Sequence, residues 1–407
     1  MTAAILAAKR RMLDLHAWGR EILSWRVLIP LGLATLAWAS PEAGRILVET
    51  LSEAYLQVSV FVAATLALIY GAERLFDIDT ADLLARHPRI QVPVAAFLGA
   101  LPGCGGAIVV VTQYVNGHVG FGALVAVLTA TMGDAAFLLL AQEPTTGMLV
   151  FALGMVVGSF SGYLLEAIHG PDFMRMQALA GPEEAERRAS LGRRPRDGSP
   201  FNPLWLAMMI PGVVFAVPIA MQLDPNTWFG PLAAYEPVTW LGFAGAVFAL
   251  LMWAAHMTAE PGRHHMGNPA ANPNDRVLCE RPTMASRVIN DTNFVTVWVI
   301  AAFLVYELGV HFSGVDLGSW FEVWAPITPM IAVLVGFLPG CGPQIVVTTL
   351  YLTGAIPMAA LLGNAISNDG DALFPAIALA PKAAIVATLY TGIPAIIVGY
   401  GAYFLLG

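Results

Sequence analysis

About eleven apolar stretches, most near the ~20 residues that a membrane-spanning helix requires, follow one another along this 407-residue chain. They run over approximately 22–40, 54–72, 91–116, 119–141, 146–168, 203–223, 238–258, 292–312, 325–353, 355–380 and 383–406. In lipid every backbone polar group must find a partner inside the protein, which makes such stretches helices. Composition agrees: 57% of residues are hydrophobic and only 12% charged, about half the charged fraction of a soluble domain. The expected fold is an all-α polytopic membrane protein with about ten transmembrane segments.

The chain divides at two polar linkers. Residues 1–168 form a first half. A cytoplasmic linker covers 169–202 with "EEAERRASLGRRPRDGSP", a connecting helical hairpin 203–258, and a second cytoplasmic linker 259–291 with "EPGRHHMGNPAANPNDR". Residues 292–407 form the last part. Lys9, Arg10, Arg11, Arg20 and Arg26 are spread over a weakly apolar run, which reads as an amphipathic leader rather than a cleaved signal. The net charge of −8 gives no reason to expect nucleic acid. Three cysteines, Cys104, Cys279 and Cys341, are too few for a disulfide framework.

One five-residue string, "LPGCG", occurs twice, at Leu101–Gly105 and Leu338–Gly342. Around it, "FLGALPGCGGAIVVVTQYVNG" aligns with "LVGFLPGCGPQIVVTTLYLTG" at a constant offset of 237 residues. At that offset "TMGDAAF" falls on "NDGDALF", which pairs Asp134 with Asp371; Pro144 falls on Pro381 and Tyr163 on Tyr400. Coincidence of Pro, Gly, Cys, Tyr and Asp without a gap marks an internal duplication. Repeat 1 covers about 58–168 and repeat 2 the residues from 292 on. Positive charge marks the cytoplasmic side, so the Arg-rich leader and both Arg-bearing linkers belong inside, and the acidic loop with Asp316 and Glu322 outside. That assignment requires one element of the first half not to cross, and 91–116, split by its motif, is the candidate. Helix 54–72 then runs inward and 292–312 outward. The repeats are expected to be inverted, each with a broken or re-entrant helix at LPGCG.

Pro lacks an N–H and Gly tolerates unusual dihedrals, so Pro102, Gly103, Gly105 and Gly106, and Pro339, Gly340, Gly342 and Pro343, should unwind their helices. A break in lipid is tolerable only where it faces protein or a polar cavity, and its freed carbonyls and N–H groups become potential ligands. A kink serving only close helix packing is the bland reading. Asp134 and Asp371 lie deep in apolar segments, where a carboxylate marks function by default; a protonated Asp bonded across helices is the alternative. The second copy adds Asn364, Asn368 and Asp369. Cys104, Cys341, Asp134 and Asp371 as centre, with Asn364, Asn368 and Asp369 as supplement, form a mixed hard and soft donor set. Carboxylate and carbonyl suit Mn²⁺, and thiolate shifts preference toward zinc and softer ions. His256, His264, His265 and Met266 read as a solvated loop, Thr112, Thr349, Tyr114 and Tyr351 as helix-packing residues, and Gln113 or Gln344 as a cavity lining. No Walker motif is present.

"LPGCGPQIVVTTLYLTGAIP" followed by "NAISNDGDALFPAIALAPKAA", with "LPGCGGAIVVVTQYVNG" and "MGDAAF" in the first half, resembles the bacterial and archaeal family of ten-helix heavy-metal exporters, also labelled manganese transporters. The resemblance covers most of the chain outside the linkers and implies metal-ion efflux. Together these readings predict a secondary transporter, not an enzyme, in the cytoplasmic membrane of a prokaryote. It would export a divalent transition-metal ion, Mn²⁺ first, by alternating access, with protons as a candidate counter-ion and no cofactor beyond the transported ion. The sequence leaves the oligomeric state open, a homodimer included. An anion or arsenical exporter is the rival transporter; an intramembrane aspartyl protease is the distant one.

Overall fold

The computed structural model of the protein describes residues 25–76, 84, 87–176, 201–254, 283–313, 321 and 325–406. Among them every regular element is a helix. The chain opens with α1 (Trp25–Ala39) and then α2 (Pro41–Glu53), which runs through a π turn (Ala54–Ser59) into α3 (Val60–Phe76). Ser40 starts α2, its hydroxyl accepting the N–H of Ala43 at 3.4 Å, with Pro41 in the first turn where no N–H is needed. There follow α4 (Pro88–Ala100), α5 (Gly105–Val115), α6 (Phe121–Ala130), α7 (Ala135–Gln142) and α8 (Pro144–His169). The connecting hairpin is α9 (Asn202–Ala220) and α10 (Pro237–Ala254). The second half holds α11 (Met284–Ser313), α12 (Thr328–Gly336), α13 (Gly342–Leu352), α14 (Met358–Ser367), α15 (Leu373–Leu379) and α16 (Pro381–Leu406).

Each apolar stretch has its helix, with two differences. The stretches at 119–141 and 355–380 are not single helices; each is broken, at 131–134 and at 368–372. And α11 begins at Met284, so Arg287 and Asp291 lie inside a helix rather than in a linker. Arg287 sits 3.9 Å above the Tyr70 ring and 3.3 Å from Glu73, and Tyr70 donates to Asp291 at 2.7 Å. Partnered in this way, the polar residues can extend the helix past the end of its apolar run. Most of the two linkers, with His256, His264, His265, Met266 and Cys279, lies outside the described residues. So do Lys9, Arg10, Arg11, Arg20, Asp316 and Glu322.

The duplication carries into the backbone. At the 237-residue offset α5 falls on α13, α6 on α14 and α8 on α16, end to end. The helix Pro41–Phe76 packs on its mate α11, and the two run antiparallel. Ser59 meets Thr296 at 2.7 Å, Tyr70 meets Asp291 and Glu73 meets Arg287, so one index falls as the other rises. Ser59 and Thr296 are themselves mates, 237 apart, and so are Cys104 and Cys341. A residue that touches its own mate marks the two-fold axis. Since the mates cross antiparallel, that axis lies across the helices and thus in the membrane plane. The repeats are inverted.

Within each repeat the second broken element is the innermost. Every residue of α6 is buried, and α14 from Ala359 to Ser367 likewise. The outer helix α8 approaches α6 through Gly158 and Gly162, where an added Cβ would come within 2.6 Å of the carbonyl oxygens of Ala126 and Gly122. Small residues at four-residue spacing thus bring two backbones together. The first broken element is a hairpin whose ends meet. Gln91 near the start of α4 donates to the carbonyl of His118 beyond α5 and accepts from the N–H of Gly120, at 3.3 and 3.0 Å. Both tips, at the LPGCG strings, lie in the interior.

Candidate functional site

The LPGCG strings break the helices as their composition dictates. After Ala100 the backbone turns extended at Leu101, then left-handed at Gly103, with φ of +88°, before α5 begins. Gly340 repeats the turn at +111°. Only glycine holds such values without strain. Cys104 and Cys341 then stand as the N-cap residues of α5 and α13, each buried to 1% exposure.

The breaks at 131–134 and 368–372 meet them. Gly133 and Gly370, again mates, are left-handed at +52° and +57°. A Cβ on Gly133 would lie 2.6 Å from Cys341 Sγ and 3.3 Å from Cys104 Sγ; one on Gly370 would lie 3.5 Å from Cys104 Sγ. Glycine is therefore required at both places for its dihedral, and at Gly133 also for the sulfurs against it; the tightest contact at Gly370 is Thr131 Cγ2 at 3.1 Å. The N–H of Gly103 donates to the carbonyl of Gly133 at 3.1 Å, tying the two breaks of the first repeat together. Asp134 caps α7, and Asp371 lies in the single turn of 3₁₀ helix, Gly370–Ala372, ahead of α15.

Four broken helices thus converge on one buried cluster. Cys104 Sγ and Cys341 Sγ are 3.3 Å apart, and Asp371 Oδ2 lies 3.3 Å from the first and 2.9 Å from the second. The three ligand atoms fall within 4.8 Å of one another, a spacing that one metal ion can bridge. Asp134 is buried to 1% and neither of its oxygens has a hydrogen-bond partner; Asp371 Oδ1 has none either. Unpaired buried carboxylate oxygens are costly in lipid, and a proton or a cation would relieve them. The positive N-terminal ends of α5, α7 and α13 face the same place and partly offset the assembled negative charge.

The remaining sequence candidates are distributed around this centre. Asn368 Nδ2 donates to Gln344 Oε1 at 2.7 Å, while Asn368 Oδ1 and Gln344 Nε2 are left without partners. Asn364 donates to the carbonyl of Ala332 at 2.9 Å, bracing α14 on α12. Asp369 is turned to the other side, where its carboxylate accepts hydroxyls from Thr388 and Thr391. Pro102, Gly105 and Gly106, and Pro339, Gly342 and Pro343, shape the breaks and offer no side-chain ligand. Gln113 bonds His118 at 2.6 Å, away from the sulfurs, so Gln344 is the glutamine beside the centre. Tyr351 donates to Glu143 at 3.0 Å and Tyr114 to the carbonyl of Met174 at 2.5 Å, both packing roles.

The breaks at Gly133 and Gly370, and the Thr388 and Thr391 hydroxyls, escape a reading of the sequence. A glycine beside a carboxylate in mid-segment, twice at the same offset, was the available signal for the first. The threonines carry none, since single hydroxyls in a membrane helix usually bond their own backbone.

Comparison with known families matches residues 42–406 to the model of a family described as "Putative, 10TM heavy-metal exporter". No curated protein and no solved structure matches the chain. The match begins just after α1, and from α2 on the described residues hold ten α-helical elements when Pro41–Phe76 and each broken pair are counted once. Spanning nearly all of the chain and both LPGCG breaks, it shows that the protein belongs to this family of ten-helix heavy-metal exporters.

Proposed function

We propose that the chain exports a thiophilic divalent metal ion across the cytoplasmic membrane of a prokaryote, bound by Cys104, Cys341, Asp371 and Asp134. The triangle of two sulfurs and one carboxylate oxygen at the repeat axis carries this reading. Asp134, buried and unpartnered, lies outside that set of three, whose ligand atoms fall within 4.8 Å of one another, and would become a fourth donor only by closing on it. Two sulfurs with carboxylate oxygens suit Zn²⁺ and the softer Cd²⁺ better than Mn²⁺, which prefers all-oxygen sites. The Mn²⁺ expectation from the carboxylates alone therefore moves to second place.

Mechanism follows from the symmetry. A site on an in-plane two-fold is framed by one broken hairpin from each repeat, and their outer ends lie at opposite faces. Rocking of one repeat against the other would open the site to one side while closing it from the other, which is alternating access. Metal coordination displaces protons from thiols, so the empty carrier could return protonated.

One observation supports a second reading. A pair of thiols at 3.3 Å would also hold a trivalent arsenical, which needs sulfur and is indifferent to the carboxylates. Uptake into everted vesicles, where export is directed inward, separates the two. Zn²⁺ or Cd²⁺ transport lost on Asp134→Asn supports the metal; arsenical transport kept in that variant, with no metal transport by the wild type, supports the arsenical.

A further inference from the structure

The two repeats diverge at one polar cluster. Asp369 follows the C-terminal end of α14, and its carboxylate accepts the hydroxyls of Thr388 and Thr391 on α16, the second at 3.4 Å. Thr391 also donates to the carbonyl of Thr388 at 2.9 Å. Asp369 and Thr391 are 1% and 0% exposed. At the 237-residue offset the first repeat has Met132, Phe151 and Gly154 in these three places. The same backbone folds there with no polar group at any of them. The fold does not demand the cluster.

The sulfur centre does not absorb it either, because the Asp369 oxygens are engaged on the α16 side. Among the described residues no Lys or Arg pairs with this carboxylate. It lies between the C-terminal end of α14 and the 3₁₀ turn Gly370–Ala372, of which it is the N-cap residue, so the two helix ends offset each other there. A desolvated carboxylate without a basic partner is neutralised by a proton or by a bound cation. Every donor at hand is a hard oxygen: a carboxylate, two hydroxyls that can rotate their protons away, and a carbonyl. Such a set suits an alkali or alkaline-earth ion, not the thiophilic cargo. The Asp369–Thr391 separation of 3.4 Å is close to the edge of a coordination shell with bonds of about 2.4 Å, while the Thr388–Asp369 hydrogen bond and the 2.9 Å Thr391–Thr388 bond would have to open around an ion. A single formal negative charge favours a monovalent ion over Ca²⁺ or Mg²⁺.

We propose that Asp369, Thr388 and Thr391 bind Na⁺, and that its occupancy is coupled to the metal centre. The coupling rests on the export reading above; the Na⁺ site itself does not. The link is short: Asp369 and Asp371 share one helix break, and Asn368 between α14 and that break holds Gln344 on the helix that Cys341 caps. Filling one side of the break must be felt on the other.

The test uses purified full-length protein at fixed pH, free of heavy metal, with NaCl titrated against choline chloride at constant ionic strength. Wild-type Tm should rise and saturate with Na⁺. Thr391→Val and the Thr388→Val, Thr391→Val pair should raise the half-saturating Na⁺ concentration at least tenfold, and Asp369→Asn should abolish the response. The Cys104→Ser, Cys341→Ser pair should keep the wild-type response, which separates this site from the heavy-metal reading. No Na⁺-specific shift in the wild type, or one unchanged in the threonine variants, would overturn the site. Coupling is read from Cd²⁺ affinity with and without saturating Na⁺. A several-fold change in the wild type that disappears in the threonine pair is expected, and equal affinities would overturn it.

Discussion

Cys104 and Cys341 have little meaning singly. Each caps a half-helix in the membrane interior, and each finds its partner only because the two-fold axis runs between them. Alignment made them mates and the sequence reading placed both in one centre; that they touch was beyond it, because nothing in one dimension says that mates meet. We expect Cys104→Ser or Cys341→Ser to lower Cd²⁺ affinity by at least tenfold, read by isothermal titration on purified protein, because a hydroxyl replaces the soft donor. Retention of wild-type affinity in the double variant would reduce both to packing residues. Asp134 makes a different prediction. Its oxygens have no protein partner, so Asp134→Asn should remove a ligand while relieving an unpaired buried charge. Lost efflux with unchanged or higher Tm is the expected pair of results. Loss of stability along with efflux would mean that the carboxylate holds the fold.

Broken elements are the units from which the interior is assembled. The breaks at LPGCG were legible because Pro and two or three Gly in five residues cannot stay helical. Those at 131–134 and 368–372 were not, because a single glycine in an apolar run is ordinarily tolerated; its necessity comes from the left-handed turn and, at Gly133, from Cys341 Sγ of the other repeat. Gly133→Ala and Gly370→Ala should therefore both destabilise, by about 1–2 kcal/mol for the left-handed dihedral alone. Gly133→Ala should cost more, since its methyl would lie 2.6 Å from Cys341 Sγ rather than 3.5 Å from Cys104 Sγ. Thermal unfolding of the two variants checks the order. Equal losses would mean that the sulfurs give way freely.

Across the whole molecule, direction of travel is a parity problem. Helices Pro41–Phe76 and α11 are antiparallel, and from the first to the start of the second lie four long helices, the first included, and two broken elements. If each long helix crosses once, opposite directions need one further crossing, so one broken element of repeat 1 crosses and the other turns back. The Gln91 bonds that join the ends of the α4–α5 hairpin make it the one that turns back. In a variant freed of native cysteines, His87→Cys and His118→Cys should then react with an impermeant thiol reagent from the same side, and Glu143→Cys from the other. Labelling of His87→Cys and His118→Cys from opposite sides would transfer the turn to α6–α7. The sequence reached the inverted arrangement through arginines that lie mostly outside the described residues; the structure reaches it through Ser59 and Thr296. That contact says something about ancestry. A residue touching its own copy is the signature of an isologous dimer, here of two identical half-length chains inserted in opposite senses. Each ancestor would have owned one thiol and one carboxylate, too few to hold an ion alone. Pairing completed the site. Fusion by a hairpin, which adds two crossings and so leaves the parity alone, then freed the halves to differ, and Asp369 with its two threonines is a place where one half has used that freedom.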